Sequence, residues 1–386
     1  MSGGHTGGVH QFVPMLHRRD AVGEHSRVLR DLLLAAGVES RIYTELPDPD
    51  TVDETRPYRE YETDAVPGDL LVYQVATRSD IAGWLAGRPE PLVLNYHSIT
   101  PPAYFAPWSD GIARLQTAAL LELAGLARHA RLGIGVSAFD VAELAAAGCT
   151  RTRVVPVANV ALPATGPDPE VAEALADAGR GRGPWWLTVG RLAPNKAHQD
   201  TVAALFVARA TTDPRAHLTI VGAPTEPNYA RALHRYVADL GLRDAVEFVS
   251  GISDAALAAR YEAADVLVML SEHEGFGVPL VEAMAHGLPV VAFDAGAVPE
   301  VVGDAGLLLP AKGPRVVAAE VHALLGDPVR RDGLVRAGRA RPAALGLDHA
   351  GSDLVAALLE AAGSGPPATG TPGREVPVRP PVPSTN

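Results

Sequence analysis

The sequence predicts an α/β protein made of two doubly wound domains that face each other across a cleft. Three observations carry this. Short apolar runs alternate with helical patterns along most of the chain, and the alternation breaks in a Pro/Gly/Ala-rich stretch at 158–184 and then restarts. At 386 residues the chain exceeds one ordinary core. Strand–helix alternation implies parallel sheets with helices on both faces, and such sheets bind ligands at the carboxyl ends of their strands.

The elements follow in order. "HQFVPML" (10–16) reads as a strand. "EHSRVLRDLLLAAG" reads as a helix, with Val28, Leu29, Leu32, Leu33 and Ala36 on one face and Gly37 as its cap. "SRIY", "LLVYQ", "LVLNY", "LGIGVS" and "RVVPV" are the further strands of the first half. Within the linker, a short helix is expected near Pro169–Ala178. "WWLTV", "HLTIVG", "VEFVS", "DVLVML", "PVVAF" and "GLLLP" make the second half, and helical pattern resumes at 315–326 and 351–362. The expected domains are two Rossmann-like units, 1–165 and 166–345, then a helix at 346–363 and a Pro/Gly-rich tail at 364–386 with the composition of a disordered segment.

Composition excludes several classes. A net charge of −12 argues against nucleic acid as a partner. The single cysteine, Cys149, rules out an intramolecular disulfide and fits a reducing cytoplasm. "MSGGHTGGVH" has neither the basic nor the apolar region of a signal peptide, and no apolar run reaches the ~18 residues of a membrane span. Arg27, Arg30, Arg128 and Arg131 leave peripheral membrane contact open, though solvated helix faces explain them more simply. The histidines form no metal-ligand pattern, and Asp48-Pro-Asp50 sits in a proline-rich loop, so no metal or other cofactor is expected.

The chemistry concentrates in "SEHEGFGVPLVEAM" (271–284). It follows a buried strand, so Glu274 lies in the loop at the strand's carboxyl end. Pro279 suits the first turn of a helix that Gly287 ends. Gly275 and Gly277 permit close backbone approach, and a helix start entered through glycine is an anion site. Glu282 lies one turn inside. Carboxylates repel phosphate, so cations must accompany them. "VGRLAPNK" supplies Gly190, Arg191 and Lys196 after another strand. Arg191 offers a planar fork and Lys196 a mobile point charge. Each charge-assisted bond is worth roughly 1.5–3 kcal/mol, so two cations and a helix start can neutralise a diphosphate without a metal ion.

These residues resemble the retaining family-4 glycosyltransferases of the GT-B fold. Glu274 and Glu282 match the E-x7-E motif, and "VGRLAPNK" matches the donor-phosphate motif. The match is weaker in the first half. The resemblance implies that the second domain binds a nucleoside-diphosphate sugar (a UDP- or GDP-sugar) and the first an acceptor. It implies that Glu274 contacts the transferred sugar and Glu282 the ribose hydroxyls. The backbone of Gly275, Phe276, Gly277 and Val278 would meet sugar and phosphate, Arg191 and Lys196 the diphosphate, and Ile252 the base. His97, after "LVLNY", would face the reacting centre and bond a sugar hydroxyl. Gly23, in "HRRDAVGEHS", would let backbone N–H groups approach phosphate and acceptor, and a plain helix start there is the competing reading. The last helix would cross back onto the first domain.

The implied reaction moves a hexose to an acceptor hydroxyl with retained configuration. No carboxylate is obviously placed as a covalent nucleophile, so front-face substitution is the family-based expectation. A glycoside hydrolase pair would need no phosphate cradle. Two alternatives stay open: a sugar-nucleotide epimerase on the same architecture, and a non-catalytic sugar-nucleotide-binding protein.

Overall fold

A computed structural model describes residues 7–17, 21–157, 166–179 and 183–363. The tail at 364–386 and linker residues 158–165 and 180–182 lie outside the described residues. The first sheet contains β1 (Val9–Met15), β2 (Ile42–Leu46), β3 (Arg56–Pro57), β4 (Leu70–Val75), β5 (Leu92–Tyr96), β6 (Leu132–Gly135) and β7 (Thr152–Val154). Its order is β3-β2-β1-β4-β5-β6-β7. The second contains β8 (Trp185–Val189), β9 (His217–Val221), β10 (Val246–Val249), β11 (Val266–Met269), β12 (Val290–Phe293) and β13 (Leu307–Leu309). Its order is β10-β9-β8-β11-β12-β13. Every pairing between these strands is parallel. Each sheet therefore reverses its winding once, between β1 and β4 and between β8 and β11, and the crevice opens at those switch points.

The sequence explains most of this directly. β4, β5, β6 and β11 are buried along their whole length, as expected for strands covered on both faces. The helix Ala21–Ala35 buries Leu29 and Leu33, while Val28 and Leu32 are half-buried and Ala36 is exposed. Gly37 closes it at φ +77°. The linker helix runs Pro169–Gly179. Cys149 is buried against Gly133, and burial pushes its thiol up to about 11, so it stays protonated at neutral pH.

Two elements differ from the sequence reading. β3 has only two residues, both exposed, and carries no apolar signal. The helix Pro328–Ala344 contains Pro342 and many arginines. Tertiary contact fixes it instead: a Cβ on Gly338 would lie 3.3 Å from Met284, and Arg341 donates to the carbonyl of Val301 at 2.8 Å. It thereby braces the helix Val278–Ala285, which carries Glu282.

The helix Ala350–Ala362 packs into the first half, not the second. Leu354, Ala357, Leu358 and Ala361 share a core with Val9, Leu29, Leu33, Leu70 and Val93. Arg153 bonds Glu360 at 2.7 Å on the same seam. Among the described residues, no helix is long and apolar enough to cross a membrane. Arg27 and Arg30 both reach Glu54, at 2.9 and 3.6 Å, which weakens any basic patch there.

Candidate active site

The loops after β8 and β11 flank the switch point of the second sheet and bring the main candidates together. After β11 the chain runs through Ser271–Gly277 into the helix Val278–Ala285. Gly277 sits at φ +88° as its N-cap, a conformation that favours glycine. Pro279 lies in the first turn and Gly287, at φ +74°, follows the end. The Phe276 side chain is buried in the core with Met269 and Leu280, so only its backbone can reach a ligand.

After β8, Gly190 turns the chain and Arg191 stands exposed. The carbonyl of Arg191 is held by His198 Nε2 at 3.0 Å. A single 3-10 turn, Pro194–Lys196, then aims Lys196 back over the sheet. Lys196 Nζ meets Glu274 Oε1 at 2.5 Å, with side chains 16% and 7% exposed. The mobile cation is thus paired with the first glutamate of the motif. The loop is locked from behind. The Glu274 carbonyl accepts from Ala297 N at 2.9 Å, and Asn195 bonds the carbonyl of His273 at 3.2 Å and accepts from Glu272 N at 2.8 Å.

Glu282 is held by Tyr261, whose hydroxyl donates to Oε2 at 2.7 Å. Burial pushes the Glu282 carboxyl above its usual range, and the Tyr261 bond opposes that shift. Ile252 leaves β10 and packs against the core that includes Tyr261 and Val281.

The first half closes over this loop. A Cβ on Gly275 would lie 2.5 Å from Ser98 Cβ and 2.9 Å from Asp140 Oδ1, so the residue after His97 touches the residue after Glu274. Ser98 is held at φ +59°. Asp140 is fully buried, and its carboxyl lies beside the Ser98 side chain at this contact. Burial, then Glu143, pushes the Asp140 carboxyl well above its usual range. Further ties cross the cleft: Ala138 N donates to Glu300 at 2.8 and 3.0 Å, and Asn228 donates to the carbonyl of Trp108 at 2.8 Å. His97 follows β5, half-buried, with Nε2 2.7 Å from Gln74 Oε1. Gly23 lies buried in the first turn of the helix after β1, where a Cβ would meet the His17 carbonyl at 2.4 Å.

Tyr261, His198, Asn195 and Asp140 complete the site, and the sequence reading did not single them out. The sequence around them gives no signal: Asn195 and His198 lie in the polar run "PNKAHQD", and Tyr261 stands between Arg260 and Glu262. Among the described residues, no cluster of three or more His, Cys, Asp or Glu side chains could hold a metal. Asp48 is engaged by His17 at 2.5 Å and caps its own turn through Asp50 N at 2.8 Å.

His198 also makes stability depend on pH. Burial lowers its pKa to about 4, against roughly 6.5 in an unfolded chain. The stability it contributes is therefore complete above pH ~6.5 and is lost as pH falls towards 4. Between pH 7 and 5, a His198→Gln variant is expected to lose roughly 2 kcal/mol less stability than the parent. Urea unfolding at the two pH values measures this, and an equal loss in both proteins would refute it.

Residues 179–341 match the family model for glycosyl transferases group 1. A GDP-mannose:cellobiosyl-diphosphopolyprenol alpha-mannosyltransferase of Xanthomonas campestris is 35% identical over 116 residues, 30% of this chain and 30% of that protein. A D-inositol 3-phosphate glycosyltransferase of Geodermatophilus obscurus is 35% identical over 184 residues, 46% of this chain and 40% of that one. Alignments to such curated relatives span 23% to 40% of their length. Solved structures align over nearly the whole chain. Anabaena HepE in complex with UDP-glucose superposes with TM-score 0.72 at 19% identity, covering 91% of this chain and 99% of that one. Sucrose-phosphate synthase of Thermosynechococcus elongatus gives 0.70 at 23%, covering 90% and 97%. The chain therefore has the GT-B fold, and its second half carries the pattern of the group 1 glycosyl transferases.

Proposed function

We propose that the protein transfers a hexose from a nucleoside-diphosphate sugar to an acceptor hydroxyl, with retained anomeric configuration and without a metal ion. The observation that carries this reading is the Lys196–Glu274 pair, set beside a glycine-entered helix start at the switch point. An arriving diphosphate competes for Lys196, with exposed Arg191 and the free N–H groups of the helix start as co-binders. Glu274 is then released towards the sugar. As the anomeric carbon–oxygen bond breaks, negative charge grows on the diphosphate, where these donors are already aimed. The acceptor oxygen forms the new bond on the same face, and its proton passes to the departing phosphate oxygen. Glu282, oriented by Tyr261, accepts from the ribose hydroxyls, and Ile252 packs the base.

A relative named as a GDP-mannose-dependent mannosyltransferase and a structural neighbour in complex with UDP-glucose support a nucleotide-sugar donor and leave UDP and GDP as the candidates. Such a donor and a single buried cysteine fit the cytoplasm.

A screen of radiolabelled UDP-, GDP- and ADP-sugars, with and without a chelator, tests the reading. Label on an acceptor, with the parent anomer seen by NMR and no chelator effect, is the expected result. A changed sugar nucleotide would indicate an epimerase, and binding without turnover a binding protein. Loss of activity with chelator would establish a metal-dependent reaction. Glu282→Ala is expected mainly to raise the Michaelis constant for donor, because it removes a contact made equally in ground and transition states. An unchanged donor constant would remove Glu282 from the ribose.

A further inference from the structure

Three adjacent strands of the first sheet each carry one buried amide near the cleft: Gln11 on β1, Gln74 on β4 and Asn95 on β5. Gln11 and Gln74 are fully buried and Asn95 is 1% exposed. They form a chain with one fixed end. Gln11 Nε2 lies 2.9 Å from the carbonyl of Ser26. A backbone carbonyl can only accept, so the Gln11 nitrogen must face it and its oxygen must face Gln74. That oxygen takes the Gln74 nitrogen at 2.8 Å. Gln74 Oε1 is therefore turned to its two remaining neighbours, Asn95 Nδ2 at 2.9 Å and His97 Nε2 at 2.7 Å. Both must donate.

The same logic reaches His25. Asn95 Nδ2 lies 2.8 Å from His25 Nε2, which must accept there. Burial lowers the His25 pKa to about 4, consistent with a neutral ring. The His25 and His97 rings meet edge to face at 5.3 Å, and burial together with His25 lowers the His97 pKa as well.

We infer that Gln11, Gln74 and Asn95 are positioning residues that hold His97 as its Nε2–H tautomer, so that it meets the ligand through the Nδ1 lone pair. This rests on the reading of His97 as a residue of the donor site. The ligand group that meets the ring must then bring its own hydrogen. A sugar hydroxyl does so, whereas an ionised carboxylate or a phosphate oxygen does not. The site thus selects a neutral sugar at that contact.

The test uses the full-length protein with 15N-labelled histidine side chains, without ligand, near neutral pH. Two-bond 1H–15N spectra distinguish the tautomers, and the His97 ring is assigned by its loss in His97→Asn. The parent should show protonated Nε2 and bare Nδ1. Gln11→Met touches neither His97 nor its direct partner bond, but it frees the Gln74 amide to turn over. Its His97 ring should therefore become a mixture of both tautomers, and kcat should fall roughly 10-fold with a smaller change in donor KM, by analogy with lost outer-shell partners of ligating histidines. A purely structural amide network would leave the ring as Nε2–H in Gln11→Met, and that result overturns the inference. So does an Nδ1–H ring in the parent, a measurement that needs no variant to fold. Correct tautomers in a protein that transfers no sugar would uphold the relay and sink the transferase reading, so the two failures are separable.

Discussion

Lys196→Ala is expected to lower turnover by roughly 10²-fold or more, as does loss of one preorganised charge stabiliser, and to lower thermal stability as well. The two effects share one cause. Lys196 sits 2.5 Å from a glutamate that is only 7% exposed. Removing the ammonium takes a cation from the departing diphosphate and strands Glu274 in a poorly hydrated pocket. Breaking a buried pair from one side costs about 3 kcal/mol at the lower end of the usual range. The double variant Lys196→Ala/Glu274→Gln should recover most of the stability and none of the turnover. Arg191→Ala gives the contrast. Its side chain is exposed, so turnover should fall by a similar factor with the melting temperature unchanged. Steady-state kinetics beside thermal melts of the three variants decide the matter, and parent-like turnover in Lys196→Ala would remove that residue from the diphosphate.

Gly275→Ala should have the next largest effect, and for a different reason. The new methyl would fall 2.5 Å from Ser98 Cβ, 2.9 Å from Asp140 Oδ1 and 3.0 Å from Ser98 Oγ. Ser98 already sits at φ +59° and has little room to yield. The methyl therefore wedges the halves apart while leaving each sheet's core intact. A displacement of about 1 Å at a reacting centre can cost 10²-fold, so kcat/KM should drop by about that factor with little change in melting temperature. The contact has a cost of its own, because closure buries the Asp140 carboxyl and pushes it well above its usual range. Parent-like kcat/KM in this variant would mean that catalysis does not use this closed contact.

The fold was legible where burial on both faces writes a continuous apolar run. "LVLNY" and "WWLTV" coincide with β5 and β8 residue for residue. It was not legible where tertiary contact sets the structure. The pair Arg56–Pro57 is a strand only because β2 lies beside it, and Pro328–Ala344 is helical although Pro342 and its glycines argue against it. The site divides the same way. Glu274, Gly277 and Lys196 announce themselves because charged and flexible residues stand at strand ends. Tyr261 and His198 look like ordinary helix residues until folding brings them to Glu282 and to the Arg191 carbonyl. The Gln11–Gln74–Asn95 chain is invisible in sequence, since the three amides lie in three different strands far apart in the chain.

The return of the helix Ala350–Ala362 to the first half has a consequence for synthesis. Leu29, Leu33, Leu70 and Val93 gain part of their cover from Leu354, Ala357 and Leu358, which leave the ribosome only after the entire second sheet. The amino-terminal half thus waits, with an apolar groove bare, while its neighbour is being made. Domain-by-domain maturation, the usual route for chains of this size, cannot finish here in chain order: the half that is made before its neighbour is completed only after it.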